Sequence, residues 1–550
     1  MRHLREVACK CSLPILFLLA IFLSPCQETR AQMTARASSL RTEEVVNRWV
    51  ESLGGRKKLG QIRNIHTLSA TTEGGLEGTF EEWTVMKGRH KRVYTHAGID
   101  STTTVNDGRR VWLRDWNGKV RELQGTDIKN EVADSLQGNF SSLLPVHIPD
   151  QTEFQGQDES GRFYVLKISP KGGRTISLYL DKSSFLPVKS ERLNGDYTLT
   201  IFYSDWREVK GIKVPFKLRR STGDPRSDIN IEVRDVHFNA PLHKSAFIKP
   251  RDTAQDTRFA TGNSTLHIPY KALGTFVLVQ TKVNGSDPLW FILDSGASLS
   301  LINKDRAEAL GVPLYGKLEI SGAGSRTDFS IAKGVTFTVQ GTEVIKQTVG
   351  AISLGALDNA FKLPIGGILG YDFFSRFIVK INYEAKTLDL YDPQTYEYDE
   401  HGETVPFTIE DGLPYVQGEI RFPGMPTIAG EFLVDTGGTY AATLYRPFVS
   451  SHKLSEVARP TAQVKGAQGS EKEFFNNEGM IRWLESFTLG HTAIDKLPVF
   501  LTLSEQGAHN NPDYAGYVGG PLLRRFNIVF DYSRHHLILE PNSHFAESFK

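Results

Sequence analysis

Two stretches of the chain carry residues that could do acid–base chemistry together. Phe291-Ile292-Leu293-Asp294-Ser295-Gly296 and Phe432-Leu433-Val434-Asp435-Thr436-Gly437 share one pattern: an apolar run, an aspartate, a hydroxyl residue and a glycine. An apolar strand delivers a carboxylate to a fixed, buried position. The glycine lets the backbone turn tightly enough for its N–H to approach that carboxylate. The Ser295 and Thr436 hydroxyls are then placed to bond across the junction between the two loops. Two carboxylates held side by side cannot both ionise cheaply, so such a pair retains one proton. Its ionised member can take a proton from water while its protonated member polarises a carbonyl. One such tripeptide alone would be a weak signal, because a long chain contains one by accident.

The context makes it specific. Gly367-Ile368-Leu369-Gly370, followed by Arg376-Phe377 and Asn382-Tyr383, has a counterpart in Gly516-Tyr517-Val518-Gly519, Arg525-Phe526 and Asp531-Tyr532. Between these landmarks, Gly322-Ala323-Gly324-Ser325 recurs loosely as Gly466-Ala467-Gln468-Gly469-Ser470. Three matches in the same order point to an internal duplication spanning about 265–393 and 404–545.

These residues resemble the aspartic peptidase family in its retropepsin-like form, over about 265–545, roughly half of the chain. Asp294-Ser295-Gly296-Ala297 matches the family's Asp-Ser/Thr-Gly-Ala/Ser/Thr motif, and Ile368-Leu369-Gly370 and Tyr517-Val518-Gly519 match the apolar-apolar-Gly element that cradles each catalytic loop. The resemblance implies two homologous acid-protease β-barrel lobes in tandem, as in pepsin-like enzymes, so dimerisation is not required to form the site. It implies catalysis by Asp294 and Asp435, supported by Ser295, Gly296, Ala297, Thr436, Gly437 and Gly438, on a peptide or protein substrate without metal or cofactor. The family's flaps fall on the two glycine-bearing segments, making Gly322, Gly324, Gly466 and Gly469 flap candidates; a flap opens for substrate and closes against water. An ordinary hairpin turn would use glycine equally well. One residue departs from the pattern: Gly438 stands where the family has alanine, serine or threonine, which leaves a degenerate, binding-only cleft as the alternative.

The elements that would position this site follow a front block, about 40–250. Val46, Trp49, Val50 and Leu53 recur at helical spacing, and Gly54-Gly55 stops the helix. Alternating runs follow, among them Glu82–Met86, Thr175–Leu180 and Leu199–Tyr203, which predict antiparallel sheet with one face buried. Val50-Glu51-Ser52-Leu53-Gly54-Gly55 with Leu59 and Ile62, and Asp205–Gly211 with Val214-Pro215-Phe216, resemble the LolA-like lipoprotein-sorting fold. That resemblance implies an antiparallel half-barrel around a helix, able to hold a lipid or acyl ligand, a peptide or part of a substrate. A rigid spacer, a removable propeptide, or a non-catalytic envelope protein that binds lipid or peptide remain alternatives. Residues 251–264 are polar, lack periodicity and predict a linker. The expected fold class is therefore mainly β: a LolA-like half-barrel, then two acid-protease lobes.

Residues 1–31 have the form of a signal peptide. Arg2, Arg5 and Lys10 precede an apolar run from Leu13 to Leu23, and Thr29-Arg30-Ala31 offers small residues for cleavage. That run is about half the ~20 residues a spanning helix needs, so an exported, periplasmic or secreted bacterial protein is expected, with an uncleaved N-terminal anchor as the alternative. All three cysteines, Cys9, Cys11 and Cys26, lie in this segment, which leaves a mature chain without disulfides or a thiolate nucleophile. Leu23-Ser24-Pro25-Cys26 loosely resembles a lipobox, but proline before Cys26 is a poor match, so lipid anchoring is the less favoured reading. The net charge of +1 suggests neither nucleic acid nor an anionic membrane as partner. The fifteen histidines form no H-E-x-x-H or comparable metal-binding spacing.

Overall fold

The computed structural model describes residues 40–86, 88–137, 152–322, 326–398, 401–456, 462–464, 478–505 and 507–549. The signal-like segment with Cys26, and Gly324, Gly466 and Gly469, lie outside the described residues. The fold is mainly β, arranged in sheets of thirteen, fourteen and ten strands.

The front helix, Thr42–Leu53, buries Val45, Trp49, Val50 and Leu53. Its apolar stripe thus runs through Val45, while the predicted Val46 packs at the edge. Gly54, at φ 128°, ends the helix and lies so close to the Gly211 carbonyl that no Cβ fits there. The thirteen-stranded sheet wraps this helix. Two antiparallel meanders, Asn64–Glu122 and Thr152–Phe238, join edge to edge where Asn64–Glu73 pairs with Ile229–Phe238. A crossover helix, Gly125–Gln137, links the meanders, and its Ala133 is buried in the same core as Trp49.

The two halves that follow repeat one strand arrangement. In the first, Leu289–Leu293 pairs in parallel with Ile365–Leu369, which lies antiparallel to Leu301–Asn303, which in turn runs parallel to Thr342–Ile352. In the second, Ile428–Asp435 pairs in parallel with Gly516–Gly519, then Ala442–Leu444 antiparallel, then Pro498–Thr502 parallel. Each apolar run is buried on both faces, as parallel strands require. The halves meet where Ile378–Asn382 and Phe526–Asp531 pair antiparallel, each strand following its own repeat-motif arginine. Those arginines are buried and tie down flanking chain: Arg376 donates to Asp256 and to the Asp372 carbonyl, Arg525 to the carbonyls of His544 and Phe545.

The predicted linker is consequently not loose. Thr257–Arg258 pairs with Glu343–Val344, and Asp256 also accepts from Gln347. Its polarity reflects ion pairing to the folded body, which a periodicity argument cannot register. Front sheet and halves are also joined directly, because all six turns at one end of the sheet meet them. Gly74 accepts from Lys317 N at 2.8 Å, Gly98 accepts from Lys333, and Asn117 exchanges hydrogen bonds with the Thr348 backbone. Arg174 grips Asp513 through both terminal nitrogens at 3.0 and 2.6 Å, Gly195 faces Asn511, and Arg226 pairs with Asp328 and Glu319.

Trp49 is fully buried at the centre of the front core. Trp49→Ala should destabilise the front unit by about 3–5 kcal/mol, measured as a lowered denaturation midpoint of the front strands by hydrogen exchange in urea.

Candidate active site: two aspartates on crossed loops

The repeated strands bring the two sequence motifs face to face. Ser295 N donates to Thr436 Oγ1 at 2.9 Å, and Thr436 N donates to Ser295 Oγ at 3.1 Å. Each hydroxyl then donates onward across the junction, Ser295 Oγ to the Val434 carbonyl at 2.6 Å and Thr436 Oγ1 to the Leu293 carbonyl at 2.9 Å. Four hydrogen bonds therefore lock the loops, and both side chains are buried at 1% exposure or less. Buried hydroxyls must be satisfied, and each here satisfies its partner's backbone.

The lock sets Asp294 and Asp435 together. Gly296 N donates to Asp294 Oδ1 at 2.8 Å and Gly437 N to Asp435 Oδ1 at 2.9 Å. Both glycines are also needed for space. A Cβ on Gly296 would stand 2.5 Å from Asp435 Oδ1, and one on Gly437 would stand 2.7 Å from the Asp294 carboxyl. Gly370 and Gly519 cradle the loops from behind, since an added Cβ would meet the Ala297 and Leu299 carbonyls in one half and those of Gly438 and Tyr440 in the other.

Burial raises the Asp294 carboxyl above its ordinary range, against the lowering effect of the Gly296 amide and the Asp435 side chain. Burial, and then the neighbouring Asp294 charge, hold Asp435 well above that range. The pair thus keeps a proton that isolated aspartates would lose. Both residues retain partial exposure. Among the described residues no cluster of histidine, cysteine and acidic side chains could hold a metal ion.

The flanks of the two aspartates differ. Ile292 and Ile368, beside Asp294, belong to a mostly aliphatic cluster that also holds Leu318 of strand Leu314–Ser321 and Phe329 of strand Arg326–Val339, which pair as a hairpin. Beside Asp435 lies an aromatic cluster of Leu433, Tyr415, Tyr445, Tyr514 and Tyr517, with buried His509 next to Tyr445 and Tyr517. Burial pushes the His509 imidazole down to about 4, so it is neutral at ordinary pH. Of the candidate flap glycines only Gly322 is described: it sits at the end of that hairpin, and its carbonyl accepts from Ala508 N of the second half at 3.2 Å.

The aromatic flank accounts for Gly438. A Cβ there would stand 2.7 Å from the Tyr517 ring and 3.0 Å from Gly519 Cα. In the first half Ala297 and Ile368 share the corresponding space, so glycine and tyrosine in one copy replace alanine and isoleucine in the other. Both Gly438 and the change from Ile368 to Tyr517 stand in the repeated motifs, but only their contact in the fold links them. His509, Tyr445 and Tyr514 had no sequence signal, being brought in by loops and strands outside the motifs.

Two outcomes follow. Gly438→Ala should cost about 1–3 kcal/mol, and at least half of that cost should vanish in a Tyr517→Ile background, as measured by a double-mutant cycle in denaturant. Because Asp435 is raised, the folded chain gains stability from its bound proton below the unfolded pKa and loses it as pH rises through the folded pKa. Asp435→Asn should therefore melt about 2 °C or more above wild type at neutral pH, with the difference fading in acid, as read by a thermal shift series.

Comparison with known proteins gives limited likenesses. Residues 279–373 match the model of an aspartyl protease family, and no curated protein matches the chain. An aspartic proteinase from Irpex lacteus is similar at 14% identity and a TM-score of 0.34, over 52% of this chain and 99% of its own. A LolA superfamily protein from Nitrosomonas europaea is similar at 11% identity and a TM-score of 0.28, over 38% of this chain and 99% of its own. A DUF1329 family protein from Desulfovibrio piger gives 15% identity and a TM-score of 0.29, over 38% and 97%. The matched family segment contains the loop of Asp294 and the cradle glycine Gly370, and it ends at Phe373.

Proposed function

We propose that the chain is an exported aspartic endopeptidase whose two tandem lobes, about 265–393 and 404–545, each supply one catalytic aspartate. The observation that carries this reading is the symmetric lock: Ser295 and Thr436 exchange hydrogen bonds in both directions and set Asp294 against Asp435. A water between the carboxyls loses a proton to the ionised member and attacks the scissile carbonyl. The protonated member donates a hydrogen bond to the carbonyl oxygen, and the pair then returns a proton to the leaving amine. The raised carboxyls suit this role, because they keep the shared proton into a pH range where an ordinary aspartate is bare. Glycine at 438 is compatible with catalysis, since the Gly438 N–H lies against the Asp435 backbone carbonyl and the Asp435 carboxyl keeps its Gly437 donor.

The second reading, an envelope protein that carries an acyl chain in the front sheet, has less support. The crossover helix places Glu131 against His90 and Arg92 in a buried ion network. Glu82, Thr67 and Thr84 are buried on neighbouring strands of the sheet. Lining of that kind would strip polar groups of their partners if an acyl chain entered. In the described residues no helix is long and apolar enough to cross a membrane, and export with removal of residues 1–31 belongs to the same proposal.

Asp294→Asn and Asp435→Asn should each reduce cleavage of a diverse peptide library by at least about 10³-fold while the chain stays folded. Wild-type turnover should fall on both sides of an optimum: as pH drops and the second carboxyl protonates, and as pH rises through the raised value and the shared proton leaves. Library cleavage followed by mass spectrometry across the pH range checks both; turnover retained by either variant would count against the dyad.

A further inference from the structure

The two halves hold their aspartate loops differently. In the first, Ser300 follows the Asp294 loop, and its hydroxyl accepts from the cradle Gly370 N at 3.1 Å. Its own N–H donates to Asp372 Oδ2 at 2.7 Å, and its carbonyl accepts from Gly350 N at 3.0 Å. In the second half the residues corresponding to Ser300 and Asp372 are Ala441 and Pro521, and Gly519 N donates to the Ala441 carbonyl at 3.1 Å. The first loop thus depends on side chains where the second uses backbone.

Asp372 and the strand Thr342–Ile352 that bears Gly350 are both held by one residue of the front unit. Asn117 Nδ2 donates to Asp372 Oδ1 at 3.2 Å and to the Thr348 carbonyl at 2.9 Å, while Thr348 N donates to Asn117 Oδ1 at 2.8 Å. Asp372 is buried at 3% exposure, so water does not readily replace a donor lost from its carboxyl. The turn that carries Asn117 is itself fixed. Asp115 Oδ1 accepts from Asn117 N at 2.9 Å and from Lys119 N at 3.0 Å, and Trp116 packs against the cluster that holds Ile292, Leu301 and Ile368. The front unit meets the second half as well, where Thr126 N and Oγ1 both donate to Glu410 Oε2 at 2.7 Å and Arg174 grips Asp513. Those contacts end outside the Asp435 loop.

Resting on the peptidase reading of the dyad, we infer that Asn117 is a positioning residue for the Asp294 loop, which makes the front unit a working part of the catalytic site. Two routes lead from Asn117, one through Asp372 and one through Thr348 and its strand. They meet at Ser300 and pass by its hydroxyl to Gly370. Gly370 in turn lies against the Ala297 and Leu299 carbonyls, and Asp294 N donates to the neighbouring Leu369 carbonyl at 3.0 Å. A catalytic group misplaced by about 1 Å costs on the order of 10²-fold in rate, so a support of this kind acts on turnover more than on substrate binding. A front unit removed as a propeptide would take that support with it.

The test follows hydrogen exchange and peptide cleavage in the full chain carrying Asn117→Ala. Exchange in residues 294–301 and 367–373 should quicken about tenfold or more, while residues 435–442 and 516–522 keep their wild-type rates. On the most rapidly cleaved library peptide, kcat should fall about tenfold or more with KM changed less than about twofold. Asn117→Asp sets a carboxyl among Asp115, Asp372 and Arg376 that can donate only while protonated. Its turnover relative to wild type should therefore rise about fivefold or more from neutral pH to pH ~4. Arg174→Ala, which breaks a contact with the second half, should leave exchange in 294–301 unchanged. Unaltered exchange of the first loop in Asn117→Ala, or a turnover ratio for Asn117→Asp that stays flat with pH, would overturn the positioning role. So would equal quickening in both halves, or the same quickening in Arg174→Ala, either of which marks Asn117 as an ordinary tether. Selective loosening of the first loop without any cleavage by wild type would overturn the peptidase reading alone.

Discussion

The exchange of hydrogen bonds between Ser295 and Thr436 is the constraint on which the remaining architecture depends. Two carboxyls repel one another once both are charged, and burial makes each costly to ionise. A shared proton links the two carboxyls to each other, but it does not fix the loops that carry them. The hydroxyls do so indirectly, by spanning the junction to the opposite backbone at Leu293 and Val434. The loops are thus fixed by neutral bonds, and the carboxyls are left free to share a proton.

That lock demands a scaffold with approximate twofold symmetry, and the strand arrangement supplies it. Each aspartate follows three buried residues of a strand that runs parallel to the strand leading to its cradle glycine. Short crossed pairings of this kind bury both faces, so the sequence reads there as unbroken apolar runs. The antiparallel pairing of Ile378–Asn382 with Phe526–Asp531 completes the symmetry below the site, and the two buried arginines tie the flanking segments to it. Where the symmetry breaks, the chemistry differs. Tyr517 takes the place corresponding to Ile368 and leaves room only for glycine at 438, so one flank of the site is aliphatic and the other aromatic.

The front sheet seats its turns on both halves, so the three units are joined by direct contacts. Its buried joint takes the Glu410 carboxyl out of water, which is tolerable because Thr126 and Tyr514 both donate to it. Such a joint holds a fixed orientation better than an apolar patch would. It also means that the front unit and the halves are tied together at this contact as well as through the chain of residues 251–264.

The sequence by itself determined the features that are local and repeated. The aspartate loops, their glycines, the duplicated apolar-apolar-Gly elements and the front helix each follow from a handful of adjacent residues whose backbone demands are written in their types. Tertiary structure alone decided what is assembled from distant residues. The tethering of Asp256 to Arg376, the partnership of Gly438 with Tyr517, and the seating of six front turns on the two halves join side chains that no periodicity connects. The reason is physical: a turn's conformation is set by its own residues, whereas an interface is set by shape and charge on surfaces that exist only after each unit has folded.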